Sequence, residues 1–438
     1  MEMRGLERAA IALSKVCALL LAICLIVSQV IAIPFSLADD DISLEGPNNL
    51  WVELYNDTHV DGWVDISRTD SGYLLATTLA SADGRIMHIA TNGSVLFQTT
   101  LGGDNSDEIR SATQCRNGDF VTVGRTRSFG ANETSGSSKL WLARIAANGT
   151  VIWNKWYPDT VYGQSVAECE DGSFIITAIE PHLLHVSSNG SYIWSKSYGD
   201  WDISDGYRVI ESDDGGFAFT GAIDTNPSGD IDYKAWLVRT DPEGEMLWNC
   251  TYGEAPFNVG RSLIQCSDGG FAIIGESGSD FYFPRSPWLI RTEENGTLLW
   301  DNIYSTGYGH GVVQCADGGF GIAGTYAEDG SYSGWNALFI RVDEEGNEQW
   351  RSVCAGTMED RGYSLALTDS GQFVVAGWSH QGSSRVAFLW QLSDDYVTPS
   401  LTPTDNSDIF GVIIAGASFT GIFIAVVIIL YLRRESPS

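Results

Sequence analysis

Residues 268–275 read Asp-Gly-Gly-Phe-Ala-Ile-Ile-Gly, a tight glycine turn followed by an apolar strand. Closely similar phrases begin at six other positions: Ser71, Asn117, Asp171, Asp214, Asp317 and Ser370. Each phrase continues into another apolar strand, such as AWLVRT from Ala235 or PWLIRT from Pro287. A turn such as NG or EG then leads into a strand whose aromatic residue stands at Phe97, Trp153, Trp194, Trp248, Trp300 or Trp350. A repeat of about 50 residues with this content is typical of a four-stranded β-propeller blade.

The last repeat lacks its final strand, because the stretch after Phe388 reaches no turn and no tryptophan strand. The missing piece stands at the start of the repeat region, where Asn48–Tyr55 has the turn, Trp51 and the alternating pattern. A first strand that completes the last blade leaves no open edge in the ring. We therefore expect an all-β fold, a seven-bladed β-propeller over residues 48–395 closed by an N-terminal latch strand.

Two apolar segments flank this region. Residues 1–38 carry Arg4, Arg8 and Lys15 before an apolar run, which is typical of a signal peptide or of an uncleaved signal anchor. Residues 409–432 contain no charged side chain and would span about 36 Å as a helix, enough for a bilayer. Arg433 follows, so the six-residue tail 433–438 is predicted to be cytoplasmic and the propeller to lie outside the cell. The Thr/Pro-rich residues 396–408 would form a stalk, giving a single-pass type I membrane protein.

The charge balance excludes one class of partner. The formal net charge is −31 and the isoelectric point is about 4.3. Such a surface repels phosphate backbones, so we expect no nucleic-acid binding.

The repeat resembles those of β-propellers on bacterial and archaeal surface proteins, in which DGGF-x-IxG strands alternate with a W-L-x-R-x-D-x-x-G-x-x-x-W pattern. It is also similar to quinoprotein-type propeller repeats, through the glycine four residues before tryptophan in DPEGEMLW, which ends at Trp248. The resemblance covers residues 48–395. The resemblance implies the fold and a surface location. It does not assign a catalytic role to any residue of this sequence.

The longer loops of the repeat should emerge together on one face, which is rich in aromatic and acidic residues. The candidate ligand-binding residues are Trp201, Phe281, Tyr282, Phe283, Tyr326, Tyr332, Trp335, Trp378, Asp202, Asp205 and Asp360. Exposed rings beside carboxylates suit a sugar or a cationic peptide. The alternative is that these rings pack down on their own loops.

Other recurring side chains have structural alternatives. Cys115 with Cys169, and Cys266 with Cys315, could form disulfides between adjacent repeats, or all four could be small buried residues. We interpret the basic or imidazole residues of the third strands as partners of acidic turn residues: His88, Arg144, His185, Arg239, Arg291 and Arg341.

Metal and modification sites are less specific. No cofactor is indicated, but Asp202 with Asp205, or Asp230 with Asp232, could bind Ca²⁺ although no EF-hand loop is present. Glycosylation sequons occur at Asn56, Asn92, Asn132, Asn148, Asn189, Asn249 and Asn295.

These features favour a membrane-anchored extracellular module that binds or adheres to a glycan or protein. One alternative is a structural component of the cell envelope. Another is an extracellular hydrolase or lyase, although no GxSxG elbow or histidine cluster supports catalysis and no catalytic residue is assigned.

Overall fold

The computed structural model describes residues 42–394 except 57–58, 82, 130–137, 158–161, 180, 200–203, 227–228, 230–231, 280–284, 328–333 and 357. The predicted signal, stalk, membrane span and tail all lie outside the described residues. Within the described ranges, no helix is long and apolar enough to cross a membrane.

The described elements are β-strands, most of which follow one another as antiparallel meanders of four. Two strands precede the first meander: β1 (Ser43–Glu45) and β2 (Asn49–Tyr55). Meander 1 contains β3 (Val60–Thr69), β4 (Gly72–Leu79), β5 (Gly84–Ala90) and β6 (Val95–Leu101). Meander 2 contains β7 (Asp107–Gln114), β8 (Phe120–Thr126), β9 (Lys139–Ile145) and β10 (Val151–Tyr157). Meander 3 contains β11 (Gly163–Glu168), β12 (Phe174–Ala178), β13 (His182–Val186) and β14 (Tyr192–Ser197).

The second half of the chain continues the same order. Meander 4 contains β15 (Ser204–Glu211), β16 (Phe217–Asp224), β17 (Tyr233–Thr240) and β18 (Met246–Tyr252). Meander 5 contains β19 (Phe257–Gln265), β20 (Phe271–Gly278), β21 (Arg285–Thr292) and β22 (Leu298–Ile303). Meander 6 contains β23 (Gly307–Gln314), β24 (Phe320–Tyr326), β25 (Asn336–Val342) and β26 (Glu348–Ala355). The remaining strands are β27 (Asp360–Leu367), β28 (Phe373–Gln381) and β29 (Ser384–Leu392).

The strands at the two ends of the described region belong to one sheet. β2 pairs with β29 in antiparallel register, with Trp51 opposite Gln391, and β28 and β27 complete that sheet. β1 adds a fifth strand to meander 6, with Ser43 opposite Ala355. Meanders 4 and 5 are joined into one sheet by a single parallel pair, Tyr233 with Phe257.

The first strands of the meanders pack side by side around a common centre. β3, β7, β11, β15, β19, β23 and β27 each pack against the next, and β27 packs against β3. The strand that precedes each turn-glycine phrase is therefore the innermost one, as predicted.

Aromatic side chains fill the space between neighbouring meanders. Trp300 of β22 packs at 6.1 Å between ring centroids on Phe320 of the next meander. The same contact joins Phe97 to Phe120, Trp153 to Phe174, Trp194 to Phe217, Trp248 to Phe271 and Trp350 to Phe373. The prediction that the repeated aromatic residue has a packing role is confirmed.

The third-strand basic residues bind the acidic turns, as predicted. Arg341 forms an ion pair with Asp317 at 2.6 Å, and Arg144 pairs with Asp119 at 3.1 Å. Arg239 and Arg291 likewise pair with Asp214 and Asp268. His185 instead hydrogen-bonds the Ser173 hydroxyl at 2.7 Å, and His88 lies 3.1 Å from that of Ser71.

The four inner-strand cysteines are free thiols rather than disulfides. Cys115, Cys169, Cys266 and Cys315 are buried, and each belongs to a different hydrophobic cluster. The structure therefore agrees with the second alternative, in which each of the four cysteines is a small buried residue. Desolvation raises the pKa of each thiol to about 12, so none is a thiolate at neutral pH.

Candidate binding site in the central cavity

A β-bulge interrupts each innermost strand near its start. In β7 the pairing register shifts between Ile109 and Ser111, so Arg110 has no partner on β8. The same shift recurs in β11, β15, β19, β23 and β27 and releases one side chain from each ladder. In β3 the irregularity is longer, from Val60 to Val64, and Trp63 is one of the three residues that it leaves without a partner on β4. We call these residues the bulge ring: Trp63, Arg110, Gln164, Tyr207, Arg261, His310 and Tyr363.

Five of the seven bulges face a glycine on the second strand. A Cβ atom on Gly275 of β20 would lie 1.8 Å from the Val259 carbonyl oxygen, so only glycine allows the bulged strand to approach. Gly124, Gly221, Gly324 and Gly377 stand at the same point of four other second strands, with comparable contacts. In meander 3 the bulged strand faces Ala178 instead.

The bulge ring surrounds a cavity of about 280 Å³. All seven members of the ring line it, together with residues next to them on the innermost strands, such as Val64, Ser111, Arg208 and Ser364. Because each bulge lies close to the start of its strand, the cavity lies towards the end where the longer connections emerge. This is the face that the loop lengths indicated as the recognition surface.

Three side-chain rings, from Trp63, His310 and Tyr363, pack together on one side of the cavity. The Trp63 ring lies 4.6 Å from Tyr363 and 5.2 Å from His310, measured between centroids, and His310 lies 5.0 Å from Tyr363. Burial, and then the charges of Arg261 and Arg361, lower the pKa of His310 well below its ordinary value. His310 is therefore neutral at physiological pH.

Guanidinium groups line the cavity from β7, β15 and β19. Arg110 donates from Nε to the Tyr162 hydroxyl at 3.0 Å and lies 5.7 Å from the centre of the Trp63 ring. Arg261 packs at 4.6 Å on the Tyr207 ring, and burial raises the pKa of Tyr207 to about 12. Among the described lining residues Arg208 is the third arginine, and Asp65 is the only acidic one.

Two carboxylates behind the cavity are each shared by two arginines. Glu276, 1% exposed, accepts from Arg261 at 2.6 Å and lies 3.2 Å from Nη1 of Arg285.

Glu108 lies between Arg125 and Arg110 in the same way, with its Oε2 3.7 Å from Arg110. Burial raises the pKa of Glu108, but hydrogen bonds from Tyr162 and Arg125 outweigh it and lower the pKa below its ordinary value. Each group has two guanidinium groups for one carboxylate, and the described lining has three arginines for one acidic residue. Positive side chains therefore outnumber negative ones at the cavity, within an acidic protein.

Several predicted loop residues are buried, which corrects their assignment to an exposed recognition surface. Trp335 and Trp378 are 1% and 2% exposed and pack on either side of Arg361, at 5.9 and 5.7 Å. Asp360, 1% exposed, accepts the backbone N–H of Gly356 at 2.5 Å and closes its own loop. Trp378 lies within β28, Asp360 begins β27 and Trp335 directly precedes β25, so these side chains belong to the buried sheets rather than to exposed loops.

The remaining predicted residues are not brought together as a site. Tyr326 is half-buried at the end of β24, and Asp205 accepts from the Tyr207 hydroxyl at 3.0 Å. Six candidates lie outside the described residues: Trp201, Asp202, Phe281, Tyr282, Phe283 and Tyr332.

No metal cluster is found within the described part of the chain. No group of three or more His, Cys, Asp or Glu side chains there is placed to hold an ion. Asp232 pairs with Lys234 at 2.8 Å, whereas Asp230 lies outside the described residues.

The bulge ring was missed by the sequence analysis, although a signal exists. In six repeats its member stands eight residues before the first glycine of the turn phrase, as Arg110 does before Gly118 and His310 before Gly318. The rest of each innermost strand is mostly apolar or small residues. A large polar or aromatic side chain at this fixed distance from the turn glycine therefore indicates a member of the bulge ring.

Comparisons with known proteins identify the fold. Neither a family model nor a curated protein matches the chain. A catalytically inactive virginiamycin B lyase from Staphylococcus aureus, solved with quinupristin, is similar with a TM-score of 0.53 and 12% identity, covering 80% of this chain and 99% of that one. A streptogramin B lyase structure gives a TM-score of 0.50 and 13% identity over 80% and 97% of the two chains. The Cps50 (Swd1) β-propeller domain of Myceliophteria thermophila gives a TM-score of 0.52 and 8% identity, covering 78% of this chain and 100% of that one. At these identities the likeness shows the fold alone: the chain is a β-propeller.

Proposed function

We propose that the chain is a membrane-anchored extracellular β-propeller that binds a glycan or protein ligand in its central cavity. The bulge ring carries this proposal. Irregularities near the start of seven strands place one side chain from each at the cavity, and six of these seven side chains are arginine, histidine or aromatic. Such groups placed around a cavity, rather than packed in a core, are the usual composition of a ligand site.

The architecture proposed with it is a ring of seven blades, one for each meander, closed by β2 as the latch. Trp390 of β29 donates from Nε1 to Asn49 Oδ1 at 2.9 Å, which supports the role of β2. Ser364 of β27 donates to Asp65 of β3 at 2.9 Å, which supports closure between the last and the first blade.

The location follows from the sequence pattern. Residues 1–38 would direct export, residues 409–432 would anchor the chain, and residues 396–408 would hold the propeller away from the membrane. The likeness of the repeat to those of bacterial and archaeal surface proteins supports this arrangement.

Among ligands of these kinds, the cavity best suits an anionic glycan. The apolar face of a sugar ring can stack on Trp63 and Tyr363. A carboxylate on that ring can accept paired hydrogen bonds from Arg110 or Arg261, whose planar groups suit carboxylates. A cavity of about 280 Å³ lies at the small end of ligand sites, so a single terminal ring would enter.

Binding should be measured with the full chain in lipid nanodiscs on an array of acidic saccharides, neutral saccharides and acidic peptides. Trp63→Ala and Arg110→Gln should each weaken binding of acidic saccharides by about tenfold or more, the loss for a contact worth ~1.4 kcal/mol. Trp156→Ala, on an exposed outer-strand residue, is the matched control and should bind as the native chain does.

Three results decide between the alternatives. Equal binding by all variants, or no binding to any probe, would contradict the cavity as the site. Preference for acidic peptides would retain the cavity but replace the glycan by a protein ligand. Preference for neutral saccharides would be consistent with sugar stacking on Trp63 and Tyr363, but it would contradict the carboxylate-binding role given to Arg110 and Arg261.

A hydrolase or lyase is a second candidate, favoured by His310. A neutral imidazole in the cavity can accept a proton from a bound ligand. Incubation with a ligand that the array identifies, followed by mass spectrometry, tests this candidate. If the site is catalytic, His310→Ala should abolish product formation while the ligand still binds; an unchanged ligand with the native chain would dismiss it.

A further inference from the structure

Exposed apolar side chains recur at one place on the outermost strands. The two residues before the outer-strand aromatic are exposed in meanders 1 to 5: Val95 and Leu96, Val151 and Ile152, Tyr192 and Ile193, Met246 and Leu247, Leu298 and Leu299. Their exposed fractions run from 40% to 59%. Isolated apolar residues are normal on a surface, but a pair repeated around the rim forms a belt that water should disfavour. We call these residues the apolar belt.

Four of the five pairs follow a glycosylation sequon by three residues. Asn92, Asn148, Asn189 and Asn295 occupy the hairpin turns that precede the pairs, in the order Asn-Gly-Ser or Asn-Gly-Thr. Meander 6 has neither feature: its hairpin reads Glu-Gly-Asn, and the exposed polar residues Glu348 and Gln349 replace the pair. Meander 4 is the exception, with Met246 and Leu247 after a Glu-Gly-Glu hairpin.

The four asparagines are held in a conformation compatible with modification. The side-chain oxygen of each accepts the backbone N–H two residues later, at 3.1 Å for Asn92, 3.0 Å for Asn148, 2.9 Å for Asn189 and 2.8 Å for Asn295. All four are exposed, and within the described residues their Nδ2 atoms make no hydrogen bond. A sugar on Nδ2 would therefore leave the turn intact.

Asn249 differs, although it also begins a sequon. Its Nδ2 contacts the sulfur of Met246 at 3.5 Å, and its Oδ1 accepts from the indole N–H of Trp236 at 3.1 Å. Both ends of its side-chain amide already have partners on its own sheet, so we do not include it.

We propose that N-linked glycans at Asn92, Asn148, Asn189 and Asn295 cover the apolar belt of the propeller. In the transfer, Nδ2 attacks C1 of an oligosaccharide carried on a lipid phosphate. The bond between C1 and the phosphate oxygen breaks, a C1–Nδ2 bond forms, and one amide proton is released as the phosphate leaves. Each glycan would stand no more than about 10 Å along the chain from its apolar pair, since even an extended strand rises only about 3.4 Å per residue. The inference rests on the extracellular location proposed above.

The first test uses the full chain purified from the membranes of its own cells. Glycopeptide mass spectrometry should find saccharide mass on the peptides that carry the four asparagines and none on Asn347 of the meander 6 hairpin. Four unmodified asparagines would overturn the inference. Labelling of intact cells with a membrane-impermeant amine reagent separates the two proposals: labelled but unmodified protein contradicts only the glycans, and unlabelled protein contradicts the location.

A second test asks what the glycans cover. Asn148→Gln should increase the binding of a hydrophobic dye, and adding Val151→Ser and Ile152→Ser should return it to the native level. Asn347→Gln is the matched control in a hairpin without a sequon. If Asn148→Gln removes the saccharide mass but leaves dye binding at the native level, the glycan does not shield the pair.

Discussion

In the turn phrases after the first, the third residue and its partner on the third strand are matched in size and chemistry. Where the phrase is Asp-Gly-Gly, the partner is an arginine, and a Cβ on Gly270 would lie 2.4 Å from Nη1 of Arg291. Where the third residue is Ser173 the partner is His185, and Gln372 accepts from Gln391 at 2.6 Å. A single position in the repeat therefore decides how each turn is tied to its sheet.

Asp360 should make stability depend on pH. Burial raises its folded-state pKa from 3.8 to about 6, against the opposing hydrogen bonds from Ser379 and Gly356. The folded protein thus holds this proton more tightly than the unfolded chain does. The resulting stabilisation is complete below about pH 4 and is lost as the pH rises through 6.

Asp360→Asn stays neutral and keeps an oxygen for Gly356. Relative to the native chain, it should therefore gain roughly 3 kcal/mol of unfolding free energy between pH 4 and pH 8. Urea denaturation at both pH values measures the change, with the exposed Glu345→Gln as the control for loss of a surface carboxylate. A difference between Asp360→Asn and the native chain that does not vary with pH would contradict the prediction.

At the scale of elements, a second repeated residue joins neighbouring meanders. A tyrosine stands four residues after the outer-strand tryptophan, and its hydroxyl donates to the carbonyl of the glycine in the next hairpin. The distances are 2.8 Å from Tyr157 to Gly190, 2.6 Å from Tyr198 to Gly244 and 2.7 Å from Tyr252 to Gly296. The tryptophan and the tyrosine therefore fix both the spacing and the tilt of adjacent sheets.

Tyr252→Phe should lower the free energy of unfolding by about 1 kcal/mol, because the buried Gly296 carbonyl loses its donor. Tyr192→Phe, at a ring that is 59% exposed, should change it by less than about 0.5 kcal/mol. Chemical denaturation of both variants makes the comparison. Equal effects would show that the hydroxyl contact between meanders has no energetic role.

In meander 4 the bulge requires glycine on the second strand but not on the first. A Cβ on Gly221 would lie 1.7 Å from the Asp205 carbonyl oxygen, whereas a Cβ on Gly206 would come no nearer than 3.4 Å to any atom. Gly221→Ala should lose about 3 kcal/mol or more, and Gly206→Ala should stay within about 1 kcal/mol of the native chain. Thermal melting of the pair checks this, and similar stabilities would mean that the bulge does not require the close approach.

At the scale of the whole molecule, the proposed ring depends on contacts between the two ends of the described chain. Val52 of β2 is 7% exposed and packs with Phe388 and Trp390 of β29, while Leu50 on the same strand is 43% exposed. Most of the other contacts of the fold join strands that are close in sequence. The contact of β2 with β29 is therefore one of the few that join the two ends of the described chain.

Val52→Asp should lower the stability of the whole ring by several kcal/mol, because it buries a carboxylate without a partner. Leu50→Asp should have an effect of at most about 1 kcal/mol. Hydrogen exchange, with thermal melting beside it, shows whether loss of protection spreads beyond β2 and β29. Loss confined to these two strands would contradict the role of β2 in closing the ring.

The repeat, the order of its strands, the packing role of the outer tryptophan and the ion pairs at the turns could all be predicted from the amino-acid sequence. Each depends on residues that keep a short, fixed spacing, so local chemistry is sufficient. Only part of the candidate site could be predicted from the sequence. Trp335 and Trp378 are indistinguishable in sequence from exposed loop rings, and burial depends on what packs above them.

The cavity was decided by the tertiary structure alone. Trp63 and His310 are distant in sequence, yet their rings lie 5.2 Å apart because the innermost strands meet around one centre. A bulge sets which way each of these side chains points, and only the closed arrangement brings them together. Local pattern therefore specifies the blades, and the convergence of strands far apart in the chain creates the site.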